Sequence, residues 1–242
     1  MTAEARDREL SLIEHLNELR RRLFIAAVAV GITTAAAFTF AEPIVRFLLA
    51  PSGVQKCIAL SPTENFTTFM RVSLFAGIAL AMPVILYEIY AYVDPALTRG
   101  ERRFVLTSGP FVLGLFVGGM AFCYYLLLPN ALTFLINFGS AVIENQLRCS
   151  EYLSFVTTFI LGLGLVFEMP AIIVALVRVG VLRRSWLARQ RRYIFLASFL
   201  IAAVLTPTPD PFNQTLVALP MYLLYELGLL ISRFVEAPRR AA

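Results

Sequence analysis

The chain has 242 residues, of which 59% are hydrophobic and only 15% charged, with a mean hydropathy of +0.75. A soluble domain of this size has no core large enough for so much apolar surface, so the bilayer is the expected solvent. The formal charge of +5 is modest and there is a single histidine. No GxxxxGK loop, GxGxxG turn, HExxH pair or paired CxxC is present, so nucleic-acid, nucleotide and metal chemistry carried by this chain alone is not expected.

The first element is an amphipathic lead-in to a membrane span. Leu12, Leu16, Leu19 and Leu23 make one apolar stripe at helical spacing. Glu14 and Glu18 stand one turn apart on another face, immediately before Arg20, Arg21 and Arg22. Arg21 and Arg22 lie three and four residues past Glu18, within reach to offset it. His15 is read as an interfacial packing residue. The apolar run that follows is longer than a signal-peptide core and lacks a clear small-x-small site before Glu42, so it is read as a retained first helix.

Six spans are expected, at roughly 23–42, 67–93, 104–128, 151–178, 193–205 and 213–231. The first four have the ~20 residues that cross about 30 Å of hydrocarbon. Span five gives only about 20 Å, and the apolar core of span six, Leu216 to Ile231, about 24 Å. Two short spans joined by "TPTPDPF" thin the bilayer locally or sit offset in it, unless they form a re-entrant pair. Pro83, Pro110, Pro170 and Pro220 fall inside spans and predict kinks, hence a bent bundle with a concave face. The absence of an internal repeat speaks against an inverted-repeat transporter.

Two outer loops, 43–66 and 129–150, are long enough to form a structured cap. Cys57 lies in one and Cys149 in the other; both a disulfide on an oxidising side and two free thiols fit the sequence. Cys123 is read as packing within span three. Glu168 sits deep in span four, where an ionised group costs at least ~2.5 kcal/mol. It is either a carboxyl hydrogen-bonded to a neighbouring helix or a polar spot on a transport surface. Gln214 and Glu226 on span six are candidates for the same polar interior. Glu88, near the end of span two, is expected to snorkel.

The loop "VDPALTRGERRFV" (93–105) turns at Pro95 and Gly100. Glu101 precedes Arg102 and Arg103, as Glu18 precedes its arginines. Two carboxylates at helix–membrane junctions of one face point to a shared acidic site for a cationic partner. Orientation follows from the basic residues. Seventeen of the 21 lie in the termini and in the two loops on the same side; only Arg46, Lys56, Arg71 and Arg148 fall on the other. The positive-inside rule then places both termini in the cytoplasm.

The blocks "HLNELRRRL", "SPTENF", "MPVILYEIYAYVDPALTRGERRFV", "YLSFVTTFILGLGLVFEMP" and "LTPTPDPFNQTLVALPMYLLYELG" occur in order and cover most of the chain. Together they resemble the TatC subunit of the twin-arginine protein translocase. The resemblance implies an all-α polytopic protein of the bacterial cytoplasmic (inner) membrane. It implies a receptor, not an enzyme, for folded cargo whose signal peptides carry paired arginines. Work with single-span TatA- and TatB-type partners, assembly into homo-oligomers, use of the proton-motive force and no cofactor follow from it.

By the same resemblance, Glu18 and Glu101 help bind the twin arginines. Arg20, Arg102, Arg103 and the aromatic Tyr92 match the surrounding motif. Pro51 matches a proline of the first outer loop, and Glu168 the intramembrane acid. Asp210 and Gln214 match the last outer turn, and span five the surface that docks a TatB-type helix. Asp94 departs from the pattern, standing where a small neutral residue is usual. A proton-coupled solute transporter using Glu168 and an insertase without twin-arginine selectivity are the competing classes.

Overall fold

The structure, a computed structural model, describes residues 12–53, 57–137, 147–206 and 210–235. Arg6, Arg8, Lys56, Arg239 and Arg240 of the topology count lie outside the described residues, as do the middles of both outer loops and positions 207–209. Among the described residues, five helical stretches are long and apolar enough to cross a membrane: Ile13–Thr39, Pro62–Val93, Arg99–Asn137, Cys149–Arg178 and Pro211–Val235. Between the last two lies α9 (Arg191–Leu205), whose 15 residues give about 22 Å at ~1.5 Å per residue. The chain is a polytopic, all-helical membrane protein.

The helices take their limits from local chemistry. α1 (Leu12–Thr39) runs unbroken through the arginine cluster. α2 (Ala41–Leu49) and a 3-10 turn at Ala50–Ser52, which holds Pro51, fold the first outer loop into the expected cap. α3 (Pro62–Val93) starts on a proline, whose missing N–H costs nothing in a first turn. α4 (Arg99–Phe122) passes through a π-helical segment, Cys123–Leu127, into α5 (Leu128–Asn137). Pro129 has no N–H to give the carbonyl of Tyr125, and the helix widens just before it. Residues 129–137, expected to be loop, are therefore helix.

Span four is split. α6 (Cys149–Phe167) ends and α7 (Met169–Arg178) begins around Glu168. Pro170 removes a donor, and the Glu168 N–H turns back to Leu165 O at 3.1 Å. Beyond it lie Gly180, which adopts the left-handed φ of 80°, and the short α8 (Arg184–Arg189). α10 (Pro211–Val235) has 25 residues, so the shortness of span six is confined to its apolar core. Pro83, Pro110 and Pro220 lie inside α3, α4 and α10.

The loop end of the molecule is latched covalently. Cys57 and Cys149 form a disulfide with Cα atoms 5.0 Å apart. Beside it Ile58 and Cys149 exchange backbone bonds with residues 147 and 58, donating to Leu147 O and Ile58 O at 2.9 Å each. Buried Glu64, in the first turn of α3, gathers the donors: Ser150 Oγ at 2.6 Å, Leu60 N at 2.9 Å and Arg148 Nε at 3.1 Å. Sequence reading did not single out Glu64 or Arg148 as partners.

The main core lies between α2, α3, α5, α6 and α10, with Val72, Leu128, Leu153, Val156, Leu163 and Val217 essentially inaccessible. A second cluster, Ile173, Val177, Leu187, Tyr225 and Leu229, closes the other end. α1 stands apart from both and packs chiefly on α3. Its Leu16, Leu19 and Leu23 are exposed rather than buried in protein. The close approach is at Gly77: Thr33 Oγ1 donates to Gly77 O at 2.7 Å. A Cβ on Gly77 would meet the Thr34 backbone at 2.7 Å.

Two outcomes are expected. Gly77→Ala forces α1 off α3 and costs about 1–3 kcal/mol, measured as a lower thermal midpoint of the detergent-solubilised protein. Cys57→Ser with Cys149→Ser opens a 92-residue separation and lowers stability by up to about 4.6 kcal/mol in the chain-entropy account. Helix content, followed by far-UV circular dichroism, stays unchanged.

Candidate functional site

The arginine-rich end of the bundle brings together the start of α1, the end of α3 and the start of α4. His15 stacks on Tyr92 with ring centroids 4.5 Å apart, which seats the N-terminal turn of α1 against the last turn of α3. His15 is thus the packing residue expected, and Tyr92 is its platform.

Two turns further along α1, Arg22 reaches two carboxylates. Its Nη2 lies 3.2 Å from Glu18 Oε1 and its Nη1 3.1 Å from Glu88 Oε2. Of the two candidates for offsetting Glu18, Arg22 does so; Arg21 is exposed. Glu88 does not snorkel. Its side chain is 9% exposed, because an arginine from the neighbouring helix comes to it and removes the need for water. The sequence points to Glu88 but not to its pairing: the partner is 66 positions away, and no local pattern signals it.

The α3–α4 turn holds the second carboxylate. A 3-10 turn at Asp94–Ala96 ends α3. Thr98 and Glu101 form a capping box at the start of α4, and Thr98 N donates to Glu101 Oε2 at 2.8 Å. This fixes Glu101 at the helix N-terminus, where the backbone dipole favours negative charge. Thr98-x-x-Glu101 is the sequence signature of such a box, a local signal that the reading of Glu101 did not draw on. Asp94 is engaged as well. Its Oδ1 accepts from Tyr90 OH at 2.8 Å and lies 2.8 Å from Arg102 Nε. The extra charge that departs from the motif is therefore met by Arg102 within the same turn.

Arg20 and Arg103 are exposed. Arg20 and Arg21, with Asn17, Leu23, Phe24 and Ala27, line an open groove of about 660 Å³ along α1. Its lining is apolar in part (Leu23, Phe24, Ala27) and basic in part (Arg20, Arg21).

The intramembrane candidates do not form one network. Glu168 is 4% exposed, and neither carboxyl oxygen has a hydrogen-bond partner among the described residues. The bond to a neighbouring helix that the sequence allowed is not made among the described residues. Gln214 donates from Nε2 to Phe199 O at 2.9 Å, tying α10 to α9. Glu226 pairs with Arg191 Nη2 at 2.9 Å and accepts from Tyr222 OH at 3.0 Å. It belongs to the arginine-rich end, because α10 runs back toward the basic start of α9. Asp210 caps α10, accepting from Asn213 N at 2.7 Å and Asn213 Nδ2 at 2.9 Å.

The fold has counterparts among known proteins. The model of the family described as Sec-independent protein translocase protein (TatC) matches residues 14–220. A Sec-independent protein translocase protein TatC of Carboxydothermus hydrogenoformans is 33% identical, the match covering 95% of this chain and 96% of that protein. The chloroplastic TATC protein of Arabidopsis thaliana is 40% identical over 90% of this chain, which spans 65% of that longer protein. The crystal structure of a twin arginine translocase receptor, TatC, superposes with a TM-score of 0.83 at 35% identity, covering 93% of this chain and all of that one. On the family match, the near-complete coverage and the shared architecture, the chain belongs to the TatC family of Sec-independent protein translocase proteins.

Proposed function

We propose that this chain is the receptor subunit of a twin-arginine translocase, binding paired arginines of signal peptides at its arginine-rich end. The observation that carries the proposal is the placement of Glu18 and Glu101. Each sits at the arginine-rich end of the bundle, and each is oriented by a bond to its own helix or turn. A guanidinium takes a carboxylate in a bidentate fork that lysine lacks. Charge-assisted bonds of about 1.5–3 kcal/mol each give selective yet reversible capture. Tyr92, Arg20, Arg102 and Arg103 frame the site.

In this reading the arginine-rich end is cytoplasmic and the disulfide end faces an oxidising compartment, across a bacterial inner membrane. The apolar part of the signal peptide lies along the bundle toward Glu168. The short α9, with exposed Leu196, Leu200 and Val204, accepts a single-span TatB-type helix, and a TatA-type partner completes a complex driven by the proton-motive force. Asp94, neutralised by Arg102, tunes the turn rather than adding a third carboxylate to the site.

A photo-reactive side chain placed at Glu18 or Glu101 is expected to label Arg-Arg signal peptides far more than Lys-Lys versions. Equal labelling rejects twin-arginine selectivity and favours an insertase. Lengthening α9 by four apolar residues adds about 6 Å and is expected to impair export of folded cargo; unchanged export counts against a role for the short span.

A further inference from the structure

We infer that Glu88 is a positioning residue for signal-peptide capture: it retains Arg22 so that Glu18 can be handed to an incoming arginine. The inference rests on the twin-arginine reading of Glu18. It comes from the asymmetry of the bridge in which Arg22 touches both Glu18 and Glu88.

The two carboxylates are not equivalent. Glu88 is 9% exposed and Glu18 23%. Glu88 projects from α3 into the contact with α1, and Arg22 is the cation that reaches it there. A buried carboxylate stripped of its partner is strongly penalised, whereas an i,i+4 pair at a partly exposed helix surface gains little. The Arg22–Glu88 pair is therefore the fixed one and Arg22–Glu18 the exchangeable one.

Charge counting gives the same order. The bridge holds two carboxylates and one guanidinium and so carries one net negative charge. One arriving guanidinium completes two pairs, with Arg22 remaining on Glu88. The other charges at this end of α1 are Glu14, one turn before Glu18, and the exposed Arg20 and Arg21. The last two repel a cation that finds no carboxylate to meet it. The resident arginine thus holds Glu18 in position before binding and withdraws from it without leaving a bare charge in the helix contact.

Removing Glu88 changes the count. In Glu88→Gln, Arg22 and Glu18 form a complete pair, and the peptide must displace a resident cation that has no second acceptor. The measurement is the affinity of the purified, full-length protein in nanodiscs for a fluorescent peptide carrying Arg-Arg before an apolar segment. Glu88→Gln is expected to bind about two- to fivefold more weakly, the value of one partly exposed ion pair. Adding Arg22→Gln in the same chain removes the competitor and restores wild-type affinity or better. Glu88→Asp, which shortens the acceptor, shifts affinity in the direction of Glu88→Gln and serves if that variant does not fold.

Wild-type affinity in Glu88→Gln, or a double variant as weak as the single, overturns the inference. A residue that mattered only for α1–α3 packing predicts no rescue. Glu18→Gln separates the two levels. If it binds like wild type, the twin-arginine reading itself fails. If it loses binding while Glu88→Gln does not, only the role of Glu88 fails.

Discussion

The contact between α1 and α3 sets the geometry on which the candidate site depends. α1 has little other support, since it packs on α3 and presents most of its remaining surface outward. Three features hold the pair in register. Gly77 lets the backbones meet at mid-span, the Arg22 bridge joins them near the arginine-rich end, and His15 lies on Tyr92 beyond it. A slip of one turn would carry Glu18 about 5.4 Å along the helix and separate Arg22 from Glu88.

The two ends of the bundle are built for different tasks. At one end a disulfide, two backbone bonds and the donors converging on Glu64 lock the loops onto α3 and α6. The one buried carboxylate described there, Glu64, is held by Arg148 together with hydroxyl and backbone donors. At the other end the carboxylates sit in ion pairs and a helix cap that a competing guanidinium can enter. Rigidity is concentrated where the loops meet, and exchange where a cationic segment would arrive. The break at Glu168 lies between them, with a carboxyl that finds no partner among the described residues.

Much of this was legible in the sequence because the bilayer imposes long apolar runs and one-sided basic loops. The crossings, the cap loops, the packing role of His15 and the capping signature at Thr98 and Glu101 all follow from local pattern. What the pattern lacks is reach. Glu88 reads as an interfacial carboxylate until Arg22 arrives from another helix. Glu64 reads as a first-turn acid until Ser150 and Arg148 close on it. Glu226 looks intramembrane along its own helix, yet Arg191 draws it to the basic end. In each case the deciding partner is at least 35 positions away. Local hydropathy also hides the extension of span three into α5, since Pro129 widens the helix instead of ending it.

The most direct test of the account is a double-mutant cycle between receptor and ligand. Affinity is measured for wild type, Glu18→Gln and Glu101→Gln, each against Arg-Arg peptides and peptides with one arginine changed to lysine. Direct pairing predicts that one arginine couples to Glu18 and the other to Glu101, with a coupling energy of about 1 kcal/mol or more for each matched pair. Strictly additive losses, with no coupling between any carboxylate and either arginine, would contradict it.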